Sequence, residues 1–212
     1  AAILGFSFSD IELRAALEWT PASYAAGLDG LLSERLLLEP LSSAQDEYTF
    51  PHHLVHEIIL NEIPDERNSA LQARIAQALE RIHADEIGFA AEIAIHYQQA
   101  DMPLPAARFW LKHAQESVDL AAFDSALEAT AHAESLLGDS NLDMQEVLAQ
   151  AALQRGVIAL YQGQGEAALP LLGQAVLKAR PFPSLFANAL SMQAYALYTQ
   201  DNSEAAYRSA AQ

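Results

Sequence analysis

His52, His53 and His56 are the residues of this chain whose type and spacing come closest to chemistry. His53 and His56 are three apart and Glu57 follows, so on one helix face they could offer imidazole and carboxylate donors to a zinc ion. The other reading of the same residues is a strand-to-helix corner with polar, partly exposed rings. Tyr48-Thr-Phe50 reads as a short aromatic strand, and Leu54 to Leu60 as an apolar helix. His83, His96, His113 and His132 stand apart at helical positions, where hydrogen bonding at the surface or between helices is the expected role. No serine, histidine and acid fall in an order that makes a nucleophile, and no carboxylate pair rises above the acidic background. No Gly-x-x-x-x-Gly-Lys-Ser/Thr loop is present to cradle phosphates. Catalysis, a bound metal and a bound cofactor are therefore not expected of these residues.

Composition bounds the partners. The 212 residues carry a formal net charge of −17, which repels nucleic acid phosphates and anionic headgroups. Up to Glu66 only Arg14 and Arg35 are basic, against twelve acids. DNA recognition through this region therefore has the wrong electrostatic sign. There is no cysteine, which excludes disulfides and thiolate metal sites and fits a reducing cytoplasm. No apolar run reaches membrane-spanning length, and no basic, apolar signal segment opens the chain. Ala1-Ala-Ile-Leu-Gly5 reads as mid-sequence and the last residues as an unfinished helix, so a piece of a longer protein is expected.

The elements that must position the histidines read as follows. Ser9 with Glu12 three residues on is a capping box, opening a helix to about Glu18 that buries Ile11, Leu13, Ala16 and Leu17. Thr20-Pro21 stops it and starts a second, over residues 22–34, with Tyr24, Leu28, Leu31 and Leu32 at helical spacing. Leu36 to Pro40 and Glu47 to Phe50 flank a polar loop, Ser42 to Asp46, and predict a β-hairpin. Helix, helix, hairpin, helix is the order of a winged helix. A helix over 53–61 and one over 65–83 follow, the latter with the stripe Leu71, Ile75, Ala78, Leu79 and Ile82.

From Gly88 on, the pattern is helix pairs: 89–100 with 105–122, then 124–137, 144–162 with 165–179, and 184–199 with 203–211. Gly156, Gly163, Ala168, Ala175 and Pro181 sit close to the spacing of a tetratricopeptide repeat, in which small residues let antiparallel helices approach. Asp124-Ser-Ala126 with Ala133 repeats the second helix one unit earlier, and Glu204-Ala-Ala206 one unit later. Ala126 to Ala168 spans 42 residues and Ala168 to Ala206 spans 38, both longer than the usual period of about 34. Counting from Gly156 as the eighth position puts Gln150, Leu153, Val157, Leu160 and Tyr161 on the inner helix face. They are candidates for a partner groove, although stacking on the next repeat accounts for most of them equally well. Phe109, Trp110, Tyr161, Tyr195 and Tyr198 are expected mostly in the core, some lining the concave face.

The order of these pieces resembles the winged-helix end of the nucleotide-binding module in STAND-type signalling ATPases, followed by tetratricopeptide-like repeats. That group includes bacterial maltose-regulator-like transcription factors and ATPase regions fused to nucleotide cyclases. The stretches that carry the resemblance are Ala2 to Phe8, Leu28 to Leu37, Tyr48 to Glu57, Pro64 to Arg67 with Leu79-Glu80, Glu92 to Tyr97 and Ala106 to Trp110. The family's sensing motif, His-Asp-Leu-Val after a strand, aligns with His52-His53-Leu54-Val55. The resemblance thus implies that His52 contacts the ADP phosphate in the parent protein and holds its resting state. His53 replaces the usual Asp.

The resulting expectation is an all-α dominated chain. Residues 1–83 form a winged-helix-like unit with one hairpin, and residues 84–212 form a right-handed helix-pair superhelix. The resemblance implies the regulatory and interaction region of a signalling ATPase or transcriptional regulator. Its partners would be a protein or peptide, or a small-molecule inducer; ADP or ATP would bind only in the full-length parent. The competing expectation is a free-standing scaffold that binds a peptide in its groove.

Overall fold

The structure is a computed structural model that describes residues 1–40, 47–83, 85–138 and 141–210, with residues 201–210 described by their backbone. It is mostly helical, with ten α-helices among the described residues and a small two-stranded antiparallel sheet near the N terminus. The chain divides into two compact units, Ala1–Met102 and Pro103–Gln212.

The first unit opens with a turn of 3-10 helix, Ala2–Leu4, followed by β1 (Ser7–Ser9), α1 (Asp10–Leu17) and α2 (Pro21–Ser33). It continues through β2 (Glu47–Thr49), α3 (His53–Asn61), α4 (Asp65–His83) and α5 (Ala90–Gln99). The capping box is present: Ser9 Oγ accepts from the Glu12 amide at 3.2 Å, and Glu12 Oε2 accepts from the Ser9 amide at 2.7 Å. Thr20 caps α2, and Pro21 occupies its first turn. In α1 the buried positions are Leu13 and Ala16, whereas Ile11 points outward at 65% exposure.

The two arms of the expected hairpin meet in a single antiparallel bridge, and the longer pairing of β2 is with β1 on its other side. β2 pairs antiparallel with β1, Phe8 opposite Tyr48, and the 36–40 segment adds one bridge between Leu38 and Thr49. Phe6-Ser-Phe-Ser alternates, so β1 can bury Phe8 while its serines face outward, as a half-buried strand requires. Leu36-Leu-Leu38 has no such alternation, and Pro40 lacks the amide that would extend the ladder. The loop Ser42 to Asp46 lies outside the described residues.

Polar contacts fix α1 against its neighbours. Tyr24, 3% exposed, donates its hydroxyl to Asp10 Oδ1 at 2.5 Å. Arg14 donates Nε to Asp10 Oδ2 at 2.5 Å, and its guanidinium lies 4.2 Å from the Tyr24 ring centre. Burial pushes the Asp10 pKa up, but the hydrogen bonds from Tyr24 and Arg14 outweigh it and hold the carboxyl below its ordinary range. Tyr24→Phe is therefore expected to lower stability by about 1–2 kcal/mol and to raise the Asp10 pKa. Urea unfolding and carboxyl NMR titration read the two effects, and an unmoved Asp10 pKa would contradict the assignment.

At the other end of α1, Arg74 Nη2 donates to the carbonyls of Ala16 (2.9 Å) and Leu17 (2.7 Å), satisfying carbonyls that the helix end leaves open. Along α4, Ile75, Ala78 and Leu79 of the expected stripe are buried, joined by Gln72 and Ala76, while Leu71 and Ile82 are half-buried. α5 packs on α4 through two polar pairs. Gln72 Oε1 lies 2.5 Å from His96 Nδ1, and the Tyr97 hydroxyl donates to Glu80.

Between Ala1, the Ala2–Leu4 turn, α1, α2, α3, α4 and the residues around Leu37 and Phe50 lies a partly open apolar pocket of about 210 Å³.

The second unit is a run of helices: α6 (Pro103–Asp119), α7 (Phe123–Ser135), α8 (Leu142–Tyr161), α9 (Gly165–Ala179) and α10 (Pro183–Ala210). Consecutive helices pack on one another, and α6 and α10 each also reach α8. Small residues make the contacts close. Ala126, Ala133, Ala168 and Ala175 are fully buried, and Gly156 faces Leu172 directly. A Cβ built on Gly156 would stand 2.6 Å from Leu172 Cδ2 and 2.7 Å from its Cγ. Gln154 Nε2 donates to the Leu111 carbonyl at 3.2 Å, tying α8 to α6, and Arg155 pairs with Glu134 of α7.

Several boundaries shift by one or two residues, and two differ by more. α6 ends at Asp119, three residues early, where Ala121 takes a left-handed conformation (φ 56°) with no glycine to mark it. The break expected at Gln200-Asp-Asn202 does not occur, and α10 runs unbroken to Ala210, so there is no last helix pair. Neither Gly nor Pro stands at 200–202, and Asp and Asn lower helix propensity without ending a helix.

Candidate functional site

β2 brings Tyr48 and Thr49 to the sheet; then Phe50, 3% exposed, anchors the chain in the core and Pro51 turns it. His52 is the N-cap of α3, with extended φ, ψ of −146° and 135°, and its carbonyl accepts from the amides of Val55 (3.1 Å) and His56 (3.3 Å). Its imidazole is exposed and caps no amide of the helix. His52 thus presents a ring to solvent beside the amino end of a helix, whose first amides carry partial positive charge.

The three histidines have separate tasks. His53 stacks on Phe6, ring centres 3.9 Å apart and 11° from parallel. His56 places Nε2 2.8 Å from the Ala2 carbonyl, and its ring meets Phe50 at 5.1 Å. His56 therefore pins α3 to the N-terminal turn, and His53 covers Phe6. Among the described residues, no three His, Asp or Glu side chains gather into a metal-ligating group.

The remaining histidines are built into helix contacts. His83 Nε2 lies 3.0 Å from Glu12 Oε1, Nδ1 lies 3.1 Å from Glu86, and its ring stacks on Phe89 at 3.9 Å. Glu12 thereby caps α1 with one oxygen and meets α4 with the other. His96 is 7% exposed, and burial lowers its pKa to about 4, so it is neutral at pH 7. Glu92, on the same helix, has its pKa raised by burial and by Glu12, with His83 acting the other way. His113 and His132 both meet the Trp110 ring edge-on, at 6.0 and 4.7 Å.

The five groove candidates do not converge. Leu160 and Tyr161 line a cleft of about 880 Å³ at the α8–α9 turn, opposite Tyr195, Thr199 and Gln200 of α10. Leu153 is buried in the core with Ala149, Leu172 and Ala175, and Val157 packs half-buried against that core. Gln150 is exposed and outside the cleft. Tyr161, Tyr195 and Tyr198 are 59%, 55% and 66% exposed, so these tyrosines are surface groups and not core. Among the described residues, Glu166 at the start of α9 is the charged residue of the cleft wall. Sequence reasoning did not find Glu166, Tyr195 or Gln200 as neighbours of Tyr161, because they come together only through the α8–α9–α10 packing. The one available signal is that residues 181–200 carry no Asp, Glu, Lys or Arg.

No family model matches the chain, and neither a curated protein nor a solved structure is significantly similar to it. No helix among the described residues is long and apolar enough to cross a membrane.

Proposed function

We propose that this chain is the regulatory and protein-interaction region of a signal-transduction ATPase or transcriptional regulator. In this reading residues 1–83 form a winged-helix-like unit and the helices from residue 84 onward are tetratricopeptide-like repeats. The observation that carries the reading is the position of His52. It stands exposed at the amino end of α3, directly after a strand, while its neighbours His53 and His56 are occupied by Phe6 and the Ala2 carbonyl. A ring so placed can donate to an anionic oxygen brought to it by another domain. The His-x-Leu-Val pattern, the strand–helix–helix–strand–helix order around it and the helix stack that follows all support the same reading. The chemistry of the parent would lie in its phosphate-binding loop, outside these residues.

The helices that pack consecutively, with α6 and α10 each reaching α8, support a repeat architecture, in which each unit buries its face on the next. A scaffold acting alone is the second reading, and the Tyr161–Tyr195 cleft is the observation that favours it. Sequencing the transcript that encodes the chain separates the two. A Gly-x-x-x-x-Gly-Lys-Ser/Thr loop in frame within a few hundred residues ahead of Ala1 supports the regulatory reading. An initiating methionine close to Ala1 with no such loop would leave the scaffold alone.

A further inference from the structure

His83 ends α4 where α1 and the approach to α5 meet it, and both of its ring nitrogens face carboxylates. Nε2 lies 3.0 Å from Glu12 Oε1 of α1, and Nδ1 lies 3.1 Å from Glu86 Oε2 in the turn that leads to α5. The second approach is an ion-pair contact only. Nδ1 is buried and makes no hydrogen bond, so Glu86 sits off the line of an N–H. Phe89, the N-cap of α5, stacks on the ring, and the His83 side chain is 13% exposed. From α5, Glu92 is near enough that Glu12 and His83 both act on its carboxyl. His96, beyond Glu92, is neutral at pH 7 and adds no charge. On α4 itself, Glu80 accepts from Tyr97, and Arg81 turns away to the Ala15 carbonyl and Glu18. Three carboxylates, Glu12, Glu86 and Glu92, thus surround one imidazole.

The charge state of the ring decides whether these contacts attract or repel. A neutral imidazole has one N–H and one lone pair. With the proton on Nε2, the Nδ1 lone pair faces Glu86; with it on Nδ1, the Nε2 lone pair faces Glu12. Only the imidazolium presents positive charge to both. The two partners are not held equally. Glu12 is 15% exposed, and its other oxygen closes the capping box of α1, so it cannot leave without opening that helix end. Glu86 is 56% exposed and stands two residues before Gly88, whose φ of 100° only glycine adopts readily. Glu86 is therefore the group that leaves. We infer that His83 is a proton-operated latch. Its charged ring holds residues 85–89 and the start of α5 to α1, and loss of the proton releases Glu86 and loosens the turn. The protonated form is the one that gains the partners, so the contact is present at low pH and is lost as pH rises through the ring's titration. The sign is opposite to that of a histidine buried neutral, such as His96. The latch does not depend on the nucleotide or the partner reading.

Amide hydrogen exchange of the 212-residue chain reads the latch locally, because the Glu86 amide donates to the His83 carbonyl and the Ile93 amide to the Phe89 carbonyl. Protection factors, corrected for the intrinsic pH dependence of exchange, should fall at both amides by about two- to five-fold between about pH 5 and pH 8. The fall should track the titration of the His83 ring, followed by nitrogen NMR on the same sample. The Leu79 amide of α4 is the control and should show no such fall. Glu86→Gln removes the charge at an exposed position; its protection should be low and level over the same range. His83→Gln, neutral at every pH, should give the same level profile. Level protection at Glu86 in the unsubstituted chain would overturn the inference. So would an equal fall in Glu86→Gln, or a His83 ring that stays neutral throughout.

Discussion

Gly156→Ala is expected to destabilise the second unit by about 1–2 kcal/mol, although the same change at an exposed helix position stabilises by about 1 kcal/mol. The sign reverses because α8 and α9 meet at this residue. A methyl group there would lie within 2.7 Å of both Leu172 Cγ and Cδ2, and Leu172 is fully buried. Leu172 has little room to swing aside, since it is fully buried in a core cluster with Ala149, Ala152, Leu153 and Ala168. Leu172→Ala alone should cost about 2–5 kcal/mol through the cavity it leaves. In that background the side-chain clash is gone and only the backbone nitrogen of residue 172, 3.2 Å away, still crowds the methyl, so Gly156→Ala should cost less than in the unsubstituted chain. A double-mutant cycle in urea should therefore give a coupling of about 1 kcal/mol or more. Additive effects would mean that the two helices do not approach as closely as described.

The second large effect is a pH dependence carried by His96. Its folded pKa, lowered to about 4 by burial, lies below the ordinary 6.5, so the unfolded chain takes up its proton first as pH falls. Stability due to the neutral ring is complete above pH 6.5 and is lost as pH falls from there toward 4. Between pH 7 and pH 5 the loss should be about 2 kcal/mol. Two groups face the ring. Gln72 Oε1 accepts at 2.5 Å whether the ring is neutral or charged, and Glu92 lies 4.0 Å from Nε2. Glu92 opposes the effect, because its raised folded pKa makes protonation favour the folded state as pH falls. His96→Gln keeps a donor toward Gln72 and removes the titration. Urea midpoints of the variant should fall less between pH 7 and pH 5 than those of the unsubstituted chain. Parallel midpoints would show that another group carries the acid sensitivity.

Much of the helix pattern was legible in the sequence, and the reasons are local. Ser9 with Glu12, Thr20-Pro21 and Gly163 are start and stop signals that act within a turn of where they stand. The bounds 53–61, 65–83 and 165–179 follow from such signals and from unbroken periodicity. What was not legible depends on contacts distant in sequence. β2 takes the serine-phenylalanine strand near the N terminus as its main partner, beside the single bridge to Leu38, and that distant pairing could not be read locally. The left-handed turn at Ala121 has no glycine or proline to announce it. The polar stretch at 200–202 looked like a turn and was carried through by helix.

The site was legible to a different degree. His52 could be singled out because a strand and a helix meet there, and its exposure agrees with a sensing role without requiring one. The tasks of His53 and His56 could not be read, since Phe6 and the Ala2 carbonyl are about fifty residues away. Leu153 and Tyr161 had equal standing as groove residues from their helical positions, yet one is in the core and the other on the cleft. Helical phase alone does not say which side of α8 the neighbouring helices cover.

The central claim is that His52 reads a nucleotide phosphate for a neighbouring ATPase domain. It is tested most directly by the release of a fluorescent ADP analogue from the longer protein that joins such a domain to this chain, with and without His52→Ala. A hydrogen bond to a charged phosphate is worth about 1.5–3 kcal/mol, so release should quicken by about ten- to a hundred-fold. His53→Ala, which removes only the stacking on Phe6, should leave release close to the unsubstituted rate. An ADP release rate unchanged within about two-fold in the His52 variant would contradict the account.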